Sequence, residues 1–121
     1  MKQAVISGIG LWTPENSISN NELVAAYNAW ATQFNKDHSA AIASGTESEK
    51  PLSTAEFIEK ASGIKNRFAY CKEGILDSSR MRPMIPARPD HELSVQAEIA
   101  LHAAKKALYS ANKTPEQIDV V

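Results

Sequence analysis

Few side chains in this sequence could do covalent chemistry. Cys71 is the one thiol, and a nucleophilic thiol needs a basic or helix-terminal setting that lowers its pKa. Lys72 follows it, but no histidine lies near it in sequence, so an inert thiol at a strand end is the preferred reading. His38, His91 and His102 show no metal-ligand spacing, and no CxxC pair accompanies them. Gly8-Ile9-Gly10-Leu11-Trp12-Thr13 opens like a dinucleotide fingerprint. Thr13 stands where the third glycine belongs, however, and Pro14 and Asn16 follow where a helix should start. The two glycines are better explained by close approach of another backbone. Arg80, Arg82 and Arg88 form a basic cluster whose guanidinium groups suit planar multi-oxygen partners. A solvated loop with ion pairs to Asp77 and Asp90 is preferred. From its pattern alone, Phe57 reads as a core aromatic.

The elements that must position these residues follow from periodicity and punctuation. Ala4 to Leu11 is short, apolar and partly β-branched, and turn formers from Thr13 to Asn16 end it, which predicts a buried first strand. Ser19-Asn20-Asn21-Glu22 has capping-box spacing, and Leu23, Ala26, Tyr27, Trp30 and Phe34 then recur at helical spacing. The pattern dissolves between Lys36 and Pro51 into either a continued polar helix or a surface insertion. Ser53-Thr54-Ala55-Glu56 offers a second capping box for a helix that Gly63 should end in left-handed conformation. Ile64 to Tyr70 alternates loosely, as an extended segment does, and residues 80–90 carry the prolines of an irregular loop. Glu92 to Ala111 predicts the longest-patterned helix, with Leu93, Ala97, Ala100, Leu101, Ala104, Leu108 and Ala111 as its apolar stripe. Asn112 is its expected cap, Thr114-Pro115 starts a short turn, and Ile118 to Val121 begins a strand.

Bulk properties exclude several classes. A chain of 121 residues with 43% hydrophobic and 22% charged residues has ordinary globular composition. A net charge of −1 gives no basic surplus for nucleic acid. No run approaches the roughly 20 apolar residues needed to cross a bilayer, and the start lacks a signal-peptide pattern. A soluble, cytoplasmic protein with no nucleic-acid or membrane partner is expected. A chain that stops inside an apolar β-branched run is also expected to be the first part of a longer polypeptide.

Four segments, in order, resemble the opening of β-ketoacyl-ACP synthase III in the thiolase superfamily. Ile6-Ser7-Gly8-Ile9-Gly10-Leu11-Trp12-Thr13-Pro14 is similar to the family's first strand and its Gly-x-Gly-x-x-x-Pro turn. Ser19-Asn20-Asn21-Glu22-Leu23 resembles the Asn-x-[Asp/Glu]-Leu helix start. Phe57 to Arg67 resembles Trp-Ile-x-x-Arg-Thr-Gly-Ile-x-x-Arg, and Ala97 to Val121 resembles the long alanine-rich helix, turn and Gln-Ile-Asp entry to the next strand.

The resemblance implies an α/β chain, the beginning of the N-terminal half of a layered αβαβα fold, with residues 1–121 as an incomplete condensing-enzyme domain and 25–52 as an insertion. It implies decarboxylative Claisen condensation: a cysteine accepts an acyl group from acyl-CoA, malonyl-ACP loses CO2, and the carbanion attacks the acyl-enzyme. The family's Cys, His and Asn fall beyond Val121, so the chain alone should be inactive. A homodimer is implied, and no cofactor. Phe57, Gly63 and Arg67 are the residues to which the resemblance assigns CoA and ACP binding. Phe57 stands for the tryptophan on one face of the CoA adenine, whereas Ala61 stands where the family has an arginine on the other face, so that half of the sandwich is lost. Other acyl-CoA condensing enzymes of the superfamily, of the head-to-head or 3-hydroxy-3-methylglutaryl-CoA synthase kind, and a non-catalytic α/β interaction module are the alternatives.

Overall fold

A computed structural model describes residues 5–119. They run as strand β1 (Asn16–Ser19), helix α1 (Asn20–Asp37), the short α2 (Ser39–Ala43), α3 (Ala55–Ser62), β2 (Asn66–Ala69), α4 (Val95–Ala111) and a 3₁₀ turn (Pro115–Gln117). The chain forms two compact units, residues 14–85 and residues 5–13 with 86–119.

In the first unit, β1 and β2 pair antiparallel with Ile18 opposite Arg67 and Ser19 opposite Asn66. Ile18 is almost wholly buried and joins Ala26 and Ala31 of α1 as the core. The predicted capping box at the start of α1 is present: Ser19 Oγ accepts from the Glu22 N–H, and Glu22 Oε2 accepts from the Ser19 N–H. Helix α1 extends to Asp37 and bends into α2 at His38, so the polar stretch begins as a continued helix. Helix α3 starts one residue later than the capping-box spacing predicts. Thr54, not Ser53, is the N-cap and accepts from the Phe57 N–H. The reason is that both backbone groups of Ser53 are taken by the Asn28 side chain. Gly63 ends α3 with φ 71°, as its type and place predict.

In the second unit, Gly8 and Gly10 face α4. A Cβ on Gly8 would lie 2.8 Å from Ala111 Cβ, and one on Gly10 would overlap the Ala103 carbonyl oxygen. Close backbone approach is thus the role of both glycines. The half-buried residues of α4 include Val95, Ile99, Ala103, Ala107 and Ala111 at four-residue spacing, with Glu98 and Leu108 beside them. Of the predicted stripe, Leu108 and Ala111 are half-buried, while backbone contact selects Ala103 and Ala107 and leaves Leu101 exposed. Asn112 caps α4 in left-handed conformation, and Pro115 opens the 3₁₀ turn.

The strand expected at Ala4 to Leu11 does not form over residues 5–11, and Val5, Ile6, Ile9 and Leu11 are exposed. An extended segment becomes a strand only when a partner takes up its ladder, and no described residue does so. Ile118 and Asp119 are likewise outside any strand, and Val120, Val121 and Ala4 lie outside the described residues. Helices with one antiparallel pair make the described chain mixed α and β. Among the described residues, no helix is long and apolar enough to cross a membrane.

Candidate functional site

A concavity of about 680 Å³ lies in the unit of residues 14–85, within the range of small-molecule sites. Leu23, Val24 and Tyr27 of α1 form one wall, residues 51–54 a second, and Phe57 and Ile58 of α3 a third, with Met81 at the edge. The surface is nearly all apolar, since the Tyr27 hydroxyl is spent on the Pro51 carbonyl at 3.0 Å.

The strap of residues 50–53 owes its position to two asparagines on α1. Asn28 donates from Nδ2 to the Ser53 carbonyl at 3.0 Å and accepts the Ser53 N–H at Oδ1 at 2.9 Å. Asn35 makes the same two-way pairing with Lys50, at 2.9 and 2.8 Å. Lys50 Nζ also lies 4.7 Å from the Phe34 ring centroid, and Phe34 stacks on His38.

Of the three residues assigned by resemblance, Phe57 alone lines this cavity. Its side chain is 66% exposed, so the pattern-based core reading fails. Alternation on a short helix cannot tell a buried aromatic from a displayed one. Gly63 faces open space, with nothing within 4 Å of where a Cβ would be. Arg67 sits in β2, and its Nη1 is buried without a hydrogen-bond partner among the described residues. Ala61 is exposed and carries no group that could oppose Phe57.

Three members of the Asn-x-Glu-Leu helix start have distinct tasks here. Asn20, 5% exposed, donates from Nδ2 to the Ile64 carbonyl at 2.7 Å, and its own N–H reaches the Lys65 carbonyl. Glu22 closes the capping box and pairs with Lys72 Nζ at 2.6 Å. The hydrogen bond from Lys72, followed by those from Ser19, pulls the Glu22 carboxyl down to about 2. Leu23 supplies cavity wall.

Cys71 is built as an inert thiol, as its sequence setting suggests. Its Sγ donates to Glu73 Oε2 at 3.0 Å and contacts the Met84 carbonyl at 3.1 Å. The carboxylate beside it, and then desolvation, push the thiol above its usual pKa, opposite to what a nucleophile requires. The basic cluster divides. Arg88 is engaged, donating to the Leu93 carbonyl at 2.8 Å and to Glu98 at 2.7 Å rather than to Asp90. Arg80 and Arg82 are exposed, with Arg80 contributing to the lowered pKa of Asp77 after the bonds from Ser79. Trp12 stacks on His102 at 5.3 Å, which gives that histidine a packing role. Among the described residues there is no cluster of three or more His, Cys, Asp or Glu that could hold a metal.

Sequence comparison agrees with the resemblance carried by the four segments. The chain is homologous to the 3-oxoacyl-ACP synthases, condensing enzymes of the thiolase-like kind. In particular, it is 45% identical over 96 residues to the β-ketodecanoyl-[acyl-carrier-protein] synthase of Pseudomonas aeruginosa strain PAO1. That match takes in 79% of this chain and 27% of the relative, so the chain spans about a quarter of the relative's length. No protein-family model matches the chain.

Proposed function

We propose that this chain supplies the opening of the thioester-binding surface of a fatty-acid-synthesis condensing enzyme with the layered thiolase-like fold. The complete reaction joins an acyl-CoA primer to malonyl-ACP. The acyl group passes to a cysteine thiolate as CoA leaves, malonyl-ACP loses CO2, and the resulting carbanion attacks the acyl-enzyme. Homology to a named β-ketodecanoyl-ACP synthase, at 45% identity, carries this reading. A ten-carbon ketoacyl product made this way corresponds to an eight-carbon acyl-CoA primer, so we assign a medium-chain rather than an acetyl primer. The working form is a cytoplasmic homodimer, and residues 25–52 are the family member's own elaboration.

In this reading Phe57 presents its exposed face to the CoA adenine, and the neighbouring apolar cavity takes the less polar part of the thioester. Gly63 allows the tight reversal after α3, and Arg67 provides positive charge on β2 for CoA or ACP phosphate. Cys71 is not the acyl acceptor, because Glu73 holds it protonated.

The test is calorimetric titration of the chain with CoA and octanoyl-CoA. Binding that weakens about ten-fold in Phe57→Ala, the loss of one base–aromatic stack, supports the site. Equal affinity in that variant overturns it. In an acyl-CoA:malonyl-ACP condensation assay the chain alone should give no turnover, and measurable product would refute the assignment of the acyl acceptor to a residue outside it.

A further inference from the structure

Helix α3 carries Phe57 but fully buries none of its eight residues, with only Ala55 and Ile58 half-buried, so packing alone holds that ring weakly. What holds α3 is a polar anchor at each end, and both anchors come from α1. At the C-terminal end, Asn20 binds the Ile64 carbonyl through its side chain and the Lys65 carbonyl through its backbone N–H. At the N-terminal end, Asn28 takes both backbone groups of Ser53. The next residue, Thr54, is the cap: its hydroxyl accepts from the Phe57 N–H at 3.1 Å, and its carbonyl accepts from the Ile58 N–H. Asn28, Ser53, Thr54 and Phe57 thus form one line of force, with a single peptide bond between the clamped residue and the cap.

Asn35 provides an internal control. It makes the same pair of hydrogen bonds, of similar length, to Lys50. Its partner lies three residues further from α3, with Tyr27 holding Pro51 in between. The two asparagines therefore tie down the same strap, and only one of them is coupled to the helix that displays Phe57.

We propose that Asn28 is a positioning residue for ligand binding: its two-way amide pairing with Ser53 sets the cap of α3 and through it the pose of Phe57. The proposal rests on the reading of Phe57 as a platform for the CoA base. Displacing a binding group by as little as 1 Å is enough to weaken a site, and a helix with only Ala55 and Ile58 half-buried depends on its end anchors to stay in register.

The experiment compares Asn28→Ala with Asn35→Ala, using CoA as the titrant and thermal melting of each variant. Both variants lose two part-buried hydrogen bonds and should melt lower by similar amounts. Asn28→Ala should bind CoA about ten-fold more weakly, with displaced Phe57 amide resonances, while Asn35→Ala stays within about two-fold of wild type. If Asn28→Ala melts below the titration temperature, Asn28→Asp replaces it. It keeps the acceptor for the Ser53 N–H and should bind about three-fold more weakly. Wild-type affinity in the Asn28 variant, or an equal loss in the Asn35 variant, overturns the positioning role and leaves the CoA site standing. A wild-type chain that binds no CoA removes the site reading and the positioning role together.

Discussion

Helices α1 and α4 are nearly equal in length, 18 and 17 residues, yet opposite means hold them to their surroundings. Helix α1 works through side chains: Asn20 reaches Ile64, Glu22 reaches Lys72, and Tyr27, Asn28 and Asn35 together hold the strap of residues 50–53. Helix α4 buries no residue and, beside the Trp12–His102 stack and the Arg88–Glu98 pair, meets its neighbour through bare backbone, where Gly8 and Gly10 lie against Ala103, Ala107 and Ala111. A polar-clamped helix can display a ligand-facing surface, because its apolar residues are not all needed for adhesion. A backbone-packed helix depends on the absence of atoms, so it tolerates no added one.

The sharpest way to break the contrast is Gly10→Val. Its side chain meets the Ala103 carbonyl, and overpacking of this kind should cost about 3 kcal/mol. Hydrogen exchange should then accelerate along α4 and leave α1 amides protected, whereas unchanged α4 protection would show that the close contact is dispensable. Asn20→Ala comes next. It leaves the Ile64 carbonyl without its part-buried donor, at about 1.5 kcal/mol, and denaturant melting should report the loss. A shift of only a few tenths would mean that the orphaned Asn20 Oδ1 already offsets the bond.

The caps sharpen the comparison at a smaller scale. Ser94→Ala removes the acceptor for the Ala97 N–H and should cost about 1 kcal/mol, seen as lost circular-dichroism helicity because α4, unlike α1, buries no residue that would hold its end in place. Ser19→Ala should cost as much in stability but less in helix content, and the reverse order would contradict the distinction drawn here. Smallest is the pH response of Glu22. Its carboxyl falls from 4.5 to about 2 on folding, so the unfolded chain binds more protons below pH 4.5. The contribution is fully present above that pH and disappears as the pH drops towards 2. Lys72→Met should flatten this part of the melting profile, while an unaltered profile would assign the acid sensitivity elsewhere.

What was legible in the sequence was chemistry confined to a few neighbouring residues. Ser19 with Glu22, Gly63, Asn112 and Pro115 are caps and stops whose signals lie within one turn of where they act. Strand β1 was not legible, since Asn16–Ser19 is extended only through pairing with Asn66–Ala69. The cap of α3 shifted by one residue for a similar reason: Ser53 has the right type, but a helix 25 positions away claims its backbone. At the candidate site, Phe57 was singled out by its place in a motif, and its exposure was misjudged from its apolarity. Asn28 and Asn35 were missed altogether, because an amide on a helix looks in sequence like any solvated polar residue.

Those two asparagines also act as a ruler. They stand seven residues apart on α1, about 10.5 Å along a helix axis at 1.5 Å per residue. Their partners, Ser53 and Lys50, are three residues apart, about 10 Å in extended backbone. The two spans are commensurate, so strap and helix can run side by side in opposite directions with both amides seated. One extra residue between Lys50 and Ser53 would put the two scales out of step and unseat one amide. One extra residue at the exposed turn of Gly45 lies outside the measured interval, so chain length can drift there while the wall of the cavity keeps its gauge.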